Sequence, residues 1–293
     1  MTFFLMAFPA LFFLLIFNYL PMVGLVIAFQ RFRFQEGIFG SEWVGFQNFE
    51  FLFSPTSGVR ITVNTLGLNA LFIFTTLVAS LFVAIMLNEV RESLVQRFYQ
   101  LSLFFPYFIS WIIAGYFVFA LLNTNDGLVN QMLVSLGYEP IRWYSSPEYW
   151  PAILTLTNLW KQIGFWSIVY LAGILGINPE LYEVSQIDGA NKLQQVFRIT
   201  IPMLSSLIII NVLLSVGRIF YADFGLFFHV PRDSGLLYPT TDVIDTFVYR
   251  ALRQTGDIGM AAAAGFYQAI VGFVLVLISN WIVRQVDPEQ ALF

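Results

Sequence analysis

Cysteine is absent and histidine occurs once, at His229. The first absence excludes disulfides, thiolate metal sites and cysteine nucleophiles. The second leaves too few partners for a histidine metal site or a His-based triad, so His229 reads as a loop residue without a catalytic role. Charge is scarce too: 14 Lys and Arg stand against 18 Asp and Glu in 293 residues, a formal net charge of −4. Lysine appears only at Lys161 and Lys192, which argues against a polybasic patch for nucleic acid or anionic lipid. Neither lies in a GxxxxGK[ST] context, since Lys161 sits in NLWKQIG and Lys192 in GANKLQQ. The chain therefore lacks a P-loop for ATP. Carboxylates lie largely between the apolar runs, and spacing places no pair of them inside a run for acid–base work or a proton relay.

What is abundant is apolar surface: 58% of residues are hydrophobic and 18% aromatic, with 11% charged. A soluble fold of this length could not bury so much, so the composition predicts an all-α integral membrane protein. Six runs are long enough to cross a bilayer: residues 3–28, 63–88, 101–122, 151–176, 203–222 and 262–284. They read as a single transmembrane domain over 1–293. The first run lacks a basic leader and a small-residue cleavage site, and so reads as a span. Pro9 and Pro21 predict a kink within it, and Pro106 interrupts the third early.

The polar stretch 178–202, NPELYEVSQIDGANKLQQVFRITIP, reads as two short helices between apolar runs. Asn178 is a good N-cap, Pro179 suits the first helical position, and Glu180 and Glu183 favour a helix start. Leu181, Val184 and Ile187 share one face; Gly189 allows a break; Leu193, Val196, Phe197 and Ile201 fit a second amphipathic helix. Pattern alone leaves an ordinary interfacial hairpin open.

The same stretch resembles the EAA loop of binding-protein-dependent ABC importer permeases. Glu183, Gly189, Ile199 and Pro202 match its spacing, and Asp188 and Ala190 match its Asp-Gly-Ala core. Val184 and Ser185 depart from its two alanines, and Ile201 from its leucine. Other phrases resemble the carbohydrate branch of that family, the maltose-type and polysaccharide importers that include the alginate importer. They are NYLPMVGLVIAFQRF with GSEWVGFQNFEFLF near the start and DIGMAAAAGFYQAI at the last span. Gly127, Asn130, Leu133, Leu136 and Gly137 resemble a short external helix of the family, read here as a seal over the bundle.

The resemblance implies a type I ABC importer permease with six transmembrane helices and a cytoplasmic coupling helix at 178–202. It implies Glu183, Asp188, Gly189, Ala190, Ile199 and Pro202 as the ATPase-coupling residues. It also implies the partners: a paralogous permease, two ATP-binding subunits that carry ATP and Mg, an extracytoplasmic solute-binding protein, and membrane lipid. The setting would be a bacterial inner membrane, with both termini cytoplasmic. Charge does not fix that orientation. The inner segments would hold Arg91, Arg97, Lys192, Arg198 and Arg284, and the outer ones Arg31, Arg33, Arg60, Arg142, Arg232, Arg250 and Arg253, against the raw positive-inside count.

Two cations fall inside predicted spans, Lys161 in the fourth and Arg218 in the fifth. A cation there is costly unless paired or wetted. Lys161 shares its neighbourhood with Asn158, Trp160, Gln162 and Trp166, amides and flat rings that suit a sugar. These residues with Arg218 are the expected substrate path, favouring an acidic or highly hydroxylated saccharide; pairing of Lys161 across a permease interface is the alternative. An ABC permease for a non-sugar solute, an ion-coupled secondary transporter and a membrane enzyme or scaffold are the rival readings. The absence of intramembrane carboxylates, inverted repeats or a catalytic cluster weighs against the last two.

Overall fold

A computed structural model of the chain describes residues 2–53, 58–90 and 93–286. Arg91, one of the cations expected on the inner side, lies outside them. The principal helices are α1 (Thr2–Leu14), α2 (Gly58–Glu89), α3 (Ser93–Phe104), α4 (Trp111–Leu122), α5 (Leu128–Ser135), α6 (Trp150–Leu175), α7 (Pro179–Ile187), α8 (Lys192–Gln195), α9 (Ser205–Gly217), α10 (Phe224–His229) and α11 (Ile258–Val286). Two short strands, β1 (Gln30–Arg31) and β2 (Glu42–Trp43), pair antiparallel. Three helices are long and apolar enough to cross a membrane alone, Met6–Phe29, Gly58–Glu89 and Ile258–Gln285, and up to six spans result if each of three bent pairs counts as one. At 1.5 Å per residue, the 32 residues of α2 extend about 48 Å, longer than a hydrocarbon core of about 30 Å.

The third run, expected as a span over 101–122 interrupted early by Pro106, is broken there and sharply bent. Leu94–Phe108 and Trp111–Leu122 meet at 100°. Pro106 opens a 3-10 turn over Phe105–Phe108, Ile109 and Ser110 are extended, and the Ser110 hydroxyl caps α4 by accepting from the Ile113 N–H at 3.4 Å. The expected fifth span, 203–222, contains α9 and is bent 61° from the Lys192–Met203 helix before it. The first run carries its irregularity where Pro21 removes an N–H: α1 widens to a π turn at Leu15–Tyr19, then tightens to a 3-10 helix over Leu20–Phe29.

The chain forms two compact units. The first comprises residues 1–63 and 243–271. Its core is small: Ala28, Phe49 and Ala263 are buried, with Phe29, Phe51, Leu52, Ala262 and Phe266 packed around them. Phe29 stacks on Trp43 with ring centroids 5.7 Å apart and meets Phe266 edge-on at 5.3 Å. The Asn48 side-chain amide donates to the Ala28 and Gln30 carbonyls at 3.0 and 2.9 Å, serving backbone acceptors where the 3-10 helix ends at the strand.

The second unit comprises residues 64–242 and 272–293. Ala84, Leu87, Tyr170, Leu171, Ile174 and Leu204 form a buried cluster between α2, α6 and the approach to α9. α3 crosses α6 at Gly164, where an added Cβ would stand 2.0 Å from the Leu103 carbonyl oxygen. Only glycine permits that approach. Asn130 on α5 is 2% exposed and ties down the following loop: it donates to the Ile141 carbonyl at 2.9 Å and accepts from the Ile141 N–H and the Trp143 indole at 3.0 Å each.

Gly164→Ala is expected to destabilise the detergent-solubilised protein by about 1–3 kcal/mol through overpacking. Gly67→Ala, where nothing lies within 4 Å of the new methyl, is expected to leave the melting temperature unchanged or slightly raised. Thermal melts of the two variants check this.

Candidate functional site

Three helices of the second unit turn polar residues toward one hollow of about 210 Å³. The residues recur at helical spacing, which is why they share a face: Asn69, Phe72, Ile73 and Thr76 on α2, Asn158, Gln162 and Trp166 on α6, and Asn211 and Ser215 on α9 with Arg218 just beyond it. Several spend part of their capacity on one another. The Asn158 amide donates to the Thr76 hydroxyl at 3.5 Å, the Asn211 amide to the Tyr170 hydroxyl, and the Ser215 hydroxyl to the Asn211 carbonyl oxygen at 3.4 Å. Asn69 donates to the Ile219 carbonyl at 2.8 Å. Gln162 and the Arg218 guanidinium have no side-chain hydrogen bond or ion pair among the described residues, so they are the cavity's unspent polar groups.

Of the residues expected along a substrate path, Asn158, Gln162, Trp166 and Arg218 line this hollow, and Trp160 and Lys161 do not. Trp160 is 40% exposed. Lys161 is 8% exposed, and its ammonium donates to the Tyr107 and Ile109 carbonyls at 2.6 Å each. It also stands 5.6 Å from the Tyr107 ring centre and 5.2 Å from that of Trp111, within cation–π range. Those carbonyls belong to the break between α3 and α4, where the backbone has no helical partner to offer them. The Trp111 indole in turn donates to the Asp223 carboxylate at 2.6 Å, and the other oxygen of Asp223 caps α10 by accepting from the Gly225 N–H at 2.9 Å. Asp223 also lines the hollow, but it is committed to Trp111 and α10 and forms no ion pair with Arg218. The sequence signal for this arrangement was present: a proline break at Pro106 leaves carbonyls that need a donor, and Lys161 is the lone deep ammonium.

The 178–202 stretch folds as its caps dictate. The Asn178 side chain accepts from the Glu180 N–H at 3.1 Å, and Pro179 opens α7. Gly189 has φ +82°, a left-handed turn that ends the helix. Asn191 and Gln194 then form a reciprocal capping box that starts α8. The expected second helix is interrupted by a π turn at Val196–Thr200. The two arms are stitched together: the Tyr182 and Thr200 hydroxyls lie 2.9 Å apart, and the Gln195 amide donates to the Ser185 hydroxyl at 2.9 Å. Lys192 pairs with Glu89 at the end of α2 at 2.9 Å. Glu183, Asp188, Gly189 and Pro202 are exposed, and Ala190 and Ile199 partly so. Leu181, Val184 and Ile187 leave their shared face uncovered, Ile187 at 86% exposure.

Residues 76–290 match the model of the family described as binding-protein-dependent transport system inner membrane component. The chain belongs to that family. It is an ABC transporter permease, a membrane translocation component and not an enzyme, as the resemblance of the Glu183–Pro202 stretch implied. It is 34% identical over 286 residues to the polygalacturonan/rhamnogalacturonan transport system permease protein YteP of Bacillus subtilis (strain 168), covering 98% of this chain and 88% of that one. Its fold is similar to a chain in the crystal structure of a bacterial ABC transporter involved in the import of the acidic polysaccharide alginate. The TM-score is 0.89 at 34% identity, over 98% of this chain and 96% of the other. A second crystal structure, of bacterial alginate ABC transporter in complex with an alginate pentasaccharide-bound periplasmic protein, matches with a TM-score of 0.88 at 34% identity, over 97% and 94%. Among the described residues of this permease, no group of three His, Asp or Glu side chains could hold a metal ion.

Lys161→Met is expected to cost the permease about 1–3 kcal/mol, because two partly buried carbonyls lose their donor. Gln162→Leu, which breaks no internal bond, is expected to leave the melting temperature near that of the parent. Parallel thermal melts distinguish an internal brace at Lys161 from a cavity group.

Proposed function

We propose that the chain is one of two paralogous permeases in a bacterial importer of acidic oligo- or polysaccharides and forms half of the path through the inner membrane. Two ATP-binding subunits would carry ATP and Mg, and an extracytoplasmic solute-binding protein would deliver the saccharide. The observation that carries this reading is the chemistry of the hollow. Amides and a hydroxyl match sugar hydroxyls, Trp166 and Tyr221 offer flat faces, and Arg218 supplies a cation without an internal partner. A volume of about 210 Å³ is below the usual range of about 300–1,000 Å³ for a ligand pocket, as befits one wall of a site completed by a second permease. The similarity to permeases of polygalacturonan/rhamnogalacturonan and alginate transporters supports an anionic saccharide. Arg218 is then the group that meets a uronate carboxylate, and Lys161 holds the frame.

The loop at 178–202 would face the cytoplasm, with both termini on that side. Its exposed Leu181, Val184 and Ile187 would seat in a groove on an ATP-binding subunit. The connections support a lever. A three-residue break with a 71° bend joins α6 to α7, Thr200 leads into α9 and is bonded to Tyr182, and Lys192 reaches the end of α2. The three helices that wall the hollow therefore all end at this loop. Closure of the ATP-bound subunits would move α7 and tilt those walls, a shift between two populated states in which ATP favours one.

Two outcomes follow in proteoliposomes carrying the whole transporter. Gly189→Pro cannot adopt φ +82°, and Glu183→Lys reverses a charge on α7. Both are expected to assemble yet lose saccharide-stimulated ATP turnover; full transport in both contradicts the coupling role. Arg218→Gln is expected to raise the half-saturating concentration of an acidic oligosaccharide about tenfold, the equivalent of about 1.4 kcal/mol, with little effect on a neutral one. Equal effects on both remove Arg218 from carboxylate recognition.

A further inference from the structure

A second cavity of the same unit, of about 180 Å³, lies at the other end of α10 from the Arg218 hollow. Asp223, just before α10, lines the hollow; Phe228 and His229, which end the helix, line the second cavity together with Ile112, Tyr116 and Phe119 of α4. The six residues of α10 extend about 9 Å, so one short oligosaccharide is long enough to reach both. The turn that closes α10 is built from unexpected residues. Arg232 and Asp233 have φ of +59° and +45°, the two non-glycine residues with positive φ among those described. Glycine ordinarily fills such a left-handed turn, because a Cβ there crowds the following carbonyl. The turn is nonetheless held firmly: the Asp233 N–H donates to the Phe228 carbonyl at 3.1 Å, and the Tyr144 hydroxyl to the Val230 carbonyl at 3.2 Å. Strain kept at a cavity wall directs attention to the side chain it puts in place.

That side chain is Arg232. Its guanidinium carbon stands 4.1 Å from the centre of the Phe119 ring, so one flat face is covered while the N–H edge is left open. The residue is exposed, and its N–H groups make no hydrogen bond or ion pair among the described residues. His229, partly exposed in the same wall, likewise has no side-chain hydrogen bond. The wall's carboxylate, Asp233, accepts from the Tyr238 hydroxyl at 3.1 Å and does not pair with Arg232. Open donors beside aromatic faces select a carboxylate carried on a ring whose C–H surface can lie against Tyr116 and Phe228. We propose that this cavity is a second carboxylate subsite for the same polymer, in which Arg232 and His229 take one uronate while Arg218 takes another along the chain. The proposal rests on the reading of the protein as a permease for acidic saccharides. In that topology α9 leads outward from the 178–202 loop, so α10 and its closing turn lie toward the extracytoplasmic side, where the polymer arrives. A repeating anion gains from a second cation, and a neutral polymer does not. The cavity is smaller than the hollow and suits the carboxylate edge of one sugar ring.

The chain has no cysteine, so single thiols report on the cavity. Ile112→Cys puts one in its wall, where the residue is 51% exposed; Leu136→Cys, 73% exposed and outside the wall, is the control. The assembled transporter, with cysteine-free partner subunits and no binding protein, is held in phosphatidylcholine nanodiscs. It is labelled with a water-soluble maleimide while galacturonate pentasaccharide is titrated. The pentasaccharide is expected to slow labelling at position 112 at least threefold and leave position 136 unchanged. Maltopentaose, which has the hydroxyls without the carboxylates, is expected to slow neither. Arg232→Gly is expected to raise the half-protecting concentration about tenfold while the melting temperature holds or rises, since glycine relaxes the turn. If that variant fails to assemble, protection at position 112 alone decides. A lower melting temperature with protection intact marks Arg232 as a brace of the turn and overturns the inference. So does a thiol at 112 that the maleimide cannot reach without saccharide, or equal protection by maltopentaose. Protection by phosphatidylglycerol nanodiscs without saccharide assigns the cavity to a lipid phosphate and overturns it too. Uptake of the pentasaccharide by the same transporter with its binding protein separates the two readings. Uptake without protection sinks the second subsite alone, and failure of any saccharide to be taken up sinks the permease's substrate class.

Discussion

A chain that crosses hydrocarbon has no water to satisfy its backbone, so every break in a helix needs a donor or acceptor from within the protein. This permease meets that constraint with single side chains aimed at carbonyls. Lys161 serves Tyr107 and Ile109 at the 100° bend, Asn48 serves Ala28 and Gln30, and Asn130 serves Ile141. Asn64 serves Pro239 and Asp242, and Asn69 serves Ile219. The few polar groups in a chain that is 58% hydrophobic are placed where the backbone is irregular. An ammonium suits the sharpest bend because it can donate to two carbonyls at once and is further held by Tyr107 and Trp111.

Once the structural debts of the backbone are met, the groups left over identify the working surfaces. In the second unit they are Gln162 and Arg218 in the hollow, and the uncovered Leu181, Val184 and Ile187 on the loop. Outside the spans, the Tyr144 phenol shows the opposite case: it donates to the Val230 carbonyl at 3.2 Å, and burial pushes its pKa far above the usual phenol range despite nearby Arg232. It stays protonated and structural.

Local signals were legible in the sequence where their physics is local. Asn178, Pro179 and Gly189 announced the ends of α7, and the structure gives each the role its residue type allows. Membrane character and family followed from composition and from the Glu183–Pro202 spacing. The break beside Pro106 was legible, but the 100° turn that follows it was not, because hydropathy measures length along the chain and is blind to direction. Lys161 was grouped with Asn158 and Gln162 by nearness in sequence. On a helix, however, residue 161 points about 100° away from residue 162, and its carbonyl partners lie more than fifty positions earlier.

The central claim is that an exposed apolar face on α7 couples this permease to an ATP-hydrolysing neighbour and, through three helices, to the hollow. A photo-crosslinking amino acid at Ile187, in inner membranes carrying the intact transporter, tests it most directly. The account predicts an adduct with the ATP-binding subunit whose yield changes with bound nucleotide. An adduct with an extracytoplasmic protein, or none with any ATP-binding subunit, would contradict it.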